Sequence, residues 1–240
     1  MAPAGGGYDM SGILTRRSFL KAVAVLGLGT AAAQAVGGCV PVTQAPQPVE
    51  APKKLKKVVV AQGADAATMD PHDHGITLTS NILSHIYDSL GQRNPQRNYA
   101  YEGLLCESWK IVDDLTVDLK LREGVTFSNG ERFDAEVCKY NLDRYMGKLE
   151  GVEKPFDARN YGKLADAQIL DDYAVRVTTS EIDVFIVQRL MDLQMVPMAY
   201  TKENGFEKLA QEPIGTGPYI LKEWAREEHI TLVAREDYWQ

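Results

Sequence analysis

A mixed α/β fold is predicted, and two patterns predict it. Leu115, Val117, Leu119 and Leu121 alternate with Thr116, Asp118, Lys120 and Arg122, the period of two that marks a half-exposed strand. Ile82, Leu83, Ile86, Tyr87 and Leu90 recur instead at helical spacing. They sit in a chain of 240 residues with 45% hydrophobic and 25% charged side chains, a balance that suits one large or two small soluble domains and excludes disordered, collagen-like and polytopic membrane classes. A net charge of −7 without a basic block leaves nothing to displace counterions from a duplex, so no nucleic-acid partner is expected. Three cysteines are too few for a disulfide scaffold.

Taken in order, residues 1–38 read as an address. Arg16 and Arg17 stand in Thr15-Arg16-Arg17-Ser18-Phe19-Leu20-Lys21, the pattern of a twin-arginine export signal, and residues 22–38 carry no charge. That apolar stretch would span only about 26 Å as a helix, short of a ~30 Å hydrocarbon core. It closes on Val36-Gly37-Gly38-Cys39, which resembles a lipobox and makes Cys39 the expected acylation site and membrane anchor. Residues 39–57, punctuated by Pro41, Pro46, Pro48 and Pro52, read as a tether.

Lys57–Ala61 is a β-branched run expected to form a buried first strand. A loop through Asp70 to Gly75 precedes the helix around Ile82, which Thr79 or Ser80 could cap. After the Leu115–Arg122 strand, Ser128-Asn129-Gly130 supplies a turn. Asp134 can cap a helix with Val137, Cys138, Asn141, Leu142 and Tyr145 on one side. Strands are expected at Leu164–Leu170 and Ala174–Thr178, separated by Asp171-Asp172. A helix at Val184–Leu193, an extended Met195–Met198, a helix at Tyr200–Ala210 and strands at Pro218–Trp224 and His229–Ala234 complete the chain.

Catalytic chemistry finds little footing. His72, His74 and His85 lie close in sequence beside Asp70 and Asp73, yet they lack the helical pairing or cysteine partners of a zinc motif, so no metal site is expected. Cys106 and Cys138 sit in apolar patterns, where free cysteine acts as a small hydrophobe, although export leaves a disulfide between them open. Hydrolase and nucleotide-binding signatures are absent. Gly215-Thr216-Gly217-Pro218 looks like a phosphate cradle, but Pro218 removes an N–H and a tight turn fits better. Asp113-Asp114 and Asp171-Asp172 read as turn residues. No catalytic residue and no cofactor is therefore expected.

Several runs carry a family resemblance. Asp70-Pro71-His72, Ile82 to Leu90, Glu107-Ser108-Trp109, Leu121 to Gly130, Pro213 to Tyr219 with Trp224, and Asp237-Tyr238-Trp239 resemble the family 5 extracellular solute-binding proteins over Val58 to Gln240. The resemblance implies a periplasmic-binding-protein type II-like lobe with a mixed β-sheet and an inserted α/β subdomain, the second lobe missing. Residues 58–90 and 172–240 would form lobe one, and residues 91–171 the insertion. It implies a monomeric, extracytoplasmic, non-enzymatic receptor that delivers a small-molecule or peptide ligand to the permease and ATPase subunits of an ABC importer. Peptides are the first expectation; a nickel or other metal chelate or an oligosaccharide is the alternative, and an exported hydrolase the remote one. By position, Gly75, Ile76, Thr77 and Leu78 would line the cleft, with Phe156 and Tyr161 as further candidates. Trp109, Trp224 and Trp239 are assigned to packing.

Overall fold

The computed structural model describes residues 57–240. Arg16, Arg17, Cys39 and the tether up to residue 56 lie outside the described residues. The expected first strand is not formed: Val58, Val59 and Val60 are 72%, 79% and 83% exposed, and no strand pairs with them among the described residues. β-Branched side chains favour an extended backbone, but a strand exists only where a neighbour takes its hydrogen bonds.

Helix α1 (Thr77–Ile86) starts two residues before its expected caps. Ile76 occupies the N-cap position and offers no side-chain bond. Thr79 is instead buried within the first turn, where its hydroxyl accepts the Ala67 N–H at 3.1 Å, and the Ser80 hydroxyl donates back to the Ile76 carbonyl. A hairpin of β1 (Gly91–Asn94) and β2 (Ala100–Gly103) follows; Asn98 and Tyr99 turn it with φ of 54° and 58°.

Strands β3 (Cys106–Asp113), β4 (Thr116–Leu121), β5 (Leu164–Asp171) and β6 (Ala174–Thr179) form one sheet in the order β3-β4-β6-β5. All strand pairings among the described residues are antiparallel, so the mixed character of the fold lies in helices alternating with hairpins. Alternation sorts the two faces. Val117, Leu119, Val175, Val177 and Ala167 are buried, while Lys110, Asp118, Arg176 and Gln168 stand in cross-strand register on the other side, with Arg176 paired to Asp118 at 2.7 Å. Both outer strands carry register shifts, and such bulges discourage further strands from adding at an edge. Because β6 lies between β4 and β5, a boundary at residues 171/172 cuts this sheet; the hydrogen-bonded unit runs to Thr179.

Helix α2 (Ala135–Met146) covers the apolar face. Asp134 caps it as expected, accepting from Glu136 N and Val137 N, and Gly147 (φ 70°) ends it, with Gly147 N–H on the Arg144 carbonyl and Lys148 N–H on that of Asp143. Helix α3 (Ile186–Asp192) follows β6. The expected Tyr200–Ala210 helix is two, α4 (Met198–Asn204) and α5 (Phe206–Leu209), because Gly205 at φ 79° leaves the helical region. The Glu131 carboxylate, from the turn before α2, accepts the Ala199 and Tyr200 N–H groups at the start of α4. Strands β7 (Tyr219–Ala225) and β8 (His229–Ala234) pair as a hairpin. Leu221, Trp224, Ile230 and Leu232 from this hairpin pack on Met69, Leu83, Ile86 and Tyr87 in a second cluster, separate from the core under the sheet.

Candidate ligand-binding site

The loop that leads into α1 is anchored from below by a buried ion pair. Arg144, on α2, donates to Asp70 Oδ1 at 3.0 Å and Oδ2 at 2.6 Å, with both side chains almost wholly buried. Its guanidinium also lies 3.5 Å from the centre of the Phe206 ring. Burial pushes the Asp70 carboxyl up, but the hydrogen bonds and charge of Arg144 hold it below the usual carboxylate range. Beside it, fully buried His72 faces Arg144 Nη1 through Nδ1 at 3.1 Å and the Gln194 carbonyl through Nε2 at 2.7 Å. A guanidinium only donates and a carbonyl only accepts, so these partners assign the neutral tautomer with its proton on Nε2. Burial and the Arg144 charge lower the His72 pKa to about 4, consistent with that form.

Above this base two loops are fastened together. Asp157 N–H donates to the His72 carbonyl at 3.1 Å and Phe156 N–H to Asp73 Oδ1 at 2.9 Å. The Phe156 ring lies so close to Gly75 that a Cβ there would sit 2.3 Å from its Cε1, so a side chain at position 75 would push the exposed Phe156 ring aside. A cavity of about 440 Å³ opens between the first turn of α1, the 3-10 turn Phe156–Tyr161 and the end of α3. Gly75, Ile76 and Thr77 line it and are exposed; Leu78 does not reach it. Tyr161 is buried under the cavity, its ring 4.5 Å from that of Tyr145 and its hydroxyl on the Arg189 carbonyl.

His74 lines the cavity, whereas His72 is spent on the network and exposed His85 bonds the Asn81 carbonyl at 2.8 Å. The three are not gathered, and no group of three metal-capable side chains occurs among the described residues. Cys106 and Cys138 are free and buried; burial pushes the Cys106 thiol up to about 12 and raises Cys138 as well, the behaviour of inert core thiols. Asp113 and Asp171 accept the N–H groups of Leu115 and Tyr173, as turn residues do. Gly217 N–H is taken by the Ile86 carbonyl at 2.8 Å, and a Cβ on Gly215 would lie 2.0 Å from that oxygen. That loop is a close backbone contact, and its Gly217 N–H is not available to a phosphate. The three tryptophans are half-buried; Trp224 donates to Asp65 and Trp239 to Asp88, both at 2.9 Å.

Sequence reasoning missed Arg144, Arg159 and Gln194, and it placed Tyr145 only on the apolar side of its helix. A usable signal existed for one of them: Arg144 follows Val137 and Asn141 at helical spacing, and a charge on a buried helix face requires a partner.

The model of "Bacterial extracellular solute-binding proteins, family 5 Middle" matches residues 100–240. The chain belongs to family 5 of these proteins. It is 31% identical over 192 residues to the glutathione-binding protein GsiB of Escherichia coli O1:K1, covering 77% of this chain and 36% of that protein. Among solved structures it is similar to the periplasmic binding protein DppA from Helicobacter pylori in complex with the peptide STSA, with TM-score 0.65 and 27% identity over 74% of this chain and 39% of that one. It also resembles NikA from Brucella suis in complex with Fe(III)-EDTA, with TM-score 0.61 and 26% identity over 74% of this chain and 35% of that one. The family 5 chain thus spans little more than a third of the length of these relatives, and its fold is that of a type II periplasmic binding protein over the matched part.

Proposed function

We propose that this chain is part of the solute-binding subunit of an ABC importer, without catalysis of its own, and that it binds peptides at the cavity beside α1. The observation that carries the reading is that Gly75, Ile76 and Thr77 line a cavity in a chain of family 5, whose relatives include a protein named for glutathione and one solved with a peptide. The Thr77 N–H, which has no acceptor among the described residues, gives an extended peptide a hydrogen bond that does not depend on its sequence. Arg144, Asp70 and His72 hold the loop from beneath, so part of the site is formed before ligand arrives. In this reading the chain leaves the cytoplasm by the twin-arginine route through Arg16 and Arg17, is anchored at Cys39 and hands its ligand to the permease and its ATPase as a monomer.

One preparation tests both halves of the proposal. Expressed in full in a bacterium, the chain should be recovered from the membrane fraction with a lipid on Cys39, and calorimetry in detergent should show saturable peptide binding. Recovery as an unlipidated soluble chain would remove the anchor. Silence toward peptides with saturation by a nickel–histidine chelate or an oligosaccharide would move the ligand class, and turnover of a substrate would overturn the receptor reading.

A further inference from the structure

This inference rests on the solute-binding reading and concerns which chemical group of the solute the cavity holds. Most polar side chains lining it are already engaged by the protein. Asp157 accepts from Asn160. Asp192 accepts the Tyr101 hydroxyl at 2.7 Å and lies 3.9 Å from the Arg93 guanidinium. The Ser80 and Ser84 hydroxyls donate to carbonyls within α1.

Beside Asp157 Oδ2 and His74 Nδ1, which have no partner among the described residues, a set of donors remains. The Arg159 guanidinium lies 3.8 Å from the centre of the Phe156 ring, and no ion pair holds it among the described residues. Tyr145 is only 3% exposed, its ring packed against those of His72 and Tyr161, yet it lines the cavity and its hydroxyl has no hydrogen-bond partner among the described residues. At the mouth of α1, where Ile76 offers no side-chain cap, the N–H groups of Thr77 and Leu78 have no acceptor among the described residues.

We propose that the cavity receives a carboxylate of the solute, held by the Arg159 guanidinium and the Tyr145 hydroxyl with the N–H of Thr77 at the start of α1. A carboxylate is acceptor-only and pairs with a guanidinium in two parallel hydrogen bonds, and the positive end of a helix favours it further. The Phe156 ring supports the guanidinium face-on, leaving its donor edge for the ligand. For a peptide the fitting group is the C-terminal carboxylate or an acidic side chain.

The test is calorimetry on the full chain at low salt with a pool of random tetrapeptides bearing free C-termini and the same pool amidated. The wild type should bind the free acids at least about tenfold more tightly. Arg159→Gln, at an exposed position, should erase that preference by weakening binding of the free acids far more than that of the amides; Tyr145→Phe, which removes one oxygen, should reduce it. Equal affinities in the wild type, or a preference that survives Arg159→Gln, would overturn the carboxylate assignment while leaving peptide binding intact. If neither pool binds, the peptide reading falls and this inference with it.

Discussion

Arg144 shows how much one buried charge can organise. Its guanidinium is bonded to Asp70, faces His72 and stacks on Phe206, so it ties α2 to the loop entering α1 and to the start of α5. The ion pair is not in itself a large source of stability, since removing two charges from water offsets most of their attraction. Breaking one side is different. Arg144→Met leaves Asp70 buried without its cation, and the expected loss is about 3–5 kcal/mol, read as a fall in the urea midpoint. Asp70→Asn with Arg144→Met should recover part of that loss, because the orphaned charge is gone. A double variant no more stable than Arg144→Met alone would mean that the guanidinium acts mainly through its stacking on Phe206.

At the scale of the element, α2 is the helix whose ends are best defined, and each end has a named cause. Asp134→Ala removes the acceptor for two first-turn N–H groups and should cost about 1 kcal/mol, a shift of roughly 2–4 °C in the melting temperature of a domain this size. Asp134→Asn, which keeps an acceptor oxygen, should restore most of it; an unchanged melt in the alanine variant would show that packing alone holds the helix start. The same element shows what can be read from sequence. Asp134, the Val137 to Tyr145 stripe and the alternation in β4 were legible because each couples a local chemical signal to a buried face. Strand β3 was not, because residues 107–113 are mostly exposed and its pairing with β4 supplies the order that its own apolar pattern does not. The β1–β2 hairpin, short and with only Gly91 buried, was silent because it too lacks an apolar pattern. Lys57–Ala61 erred the other way, its β-branched pattern being present without a neighbouring strand. In the candidate site, Gly75 to Thr77 could be placed by resemblance, but Arg159, Asp192 and Gln194 approach them from about a hundred residues away in sequence, a proximity that only the tertiary fold creates.

For the whole molecule, the buried network makes stability depend on pH in a window set by His72. Folded His72 takes a proton only near pH 4, whereas an unfolded chain takes it near 6.5. Between these values the unfolded state binds more protons, so stability falls as the solution is acidified from pH 6.5 toward 4, by roughly 3 kcal/mol in all. The surroundings agree with that direction. Protonated His72 would place a second cation against Arg144 and bring a proton to an Nδ1 that already faces a donor, and the single Asp70 charge is shared with the guanidinium. His74, half-buried with its pKa also lowered, adds to the same slope. Asp88 opposes it: buried beneath Tyr238 and Trp239, its carboxyl is pushed up by burial, so its contribution weakens as the pH rises through its folded pKa. Below about pH 4 Asp70 takes over, because its depressed pKa leaves it ionised in the fold after the unfolded chain has been protonated. Urea midpoints measured at intervals from pH 7 to pH 4 should therefore decline, and His72→Gln, whose amide can still donate to the Gln194 carbonyl, should flatten the decline while lowering stability at pH 7. A wild-type curve that is level from pH 6.5 to 4, or a variant as steep as the wild type, would place the titrating group elsewhere and deny His72 the neutral tautomer that its two partners require.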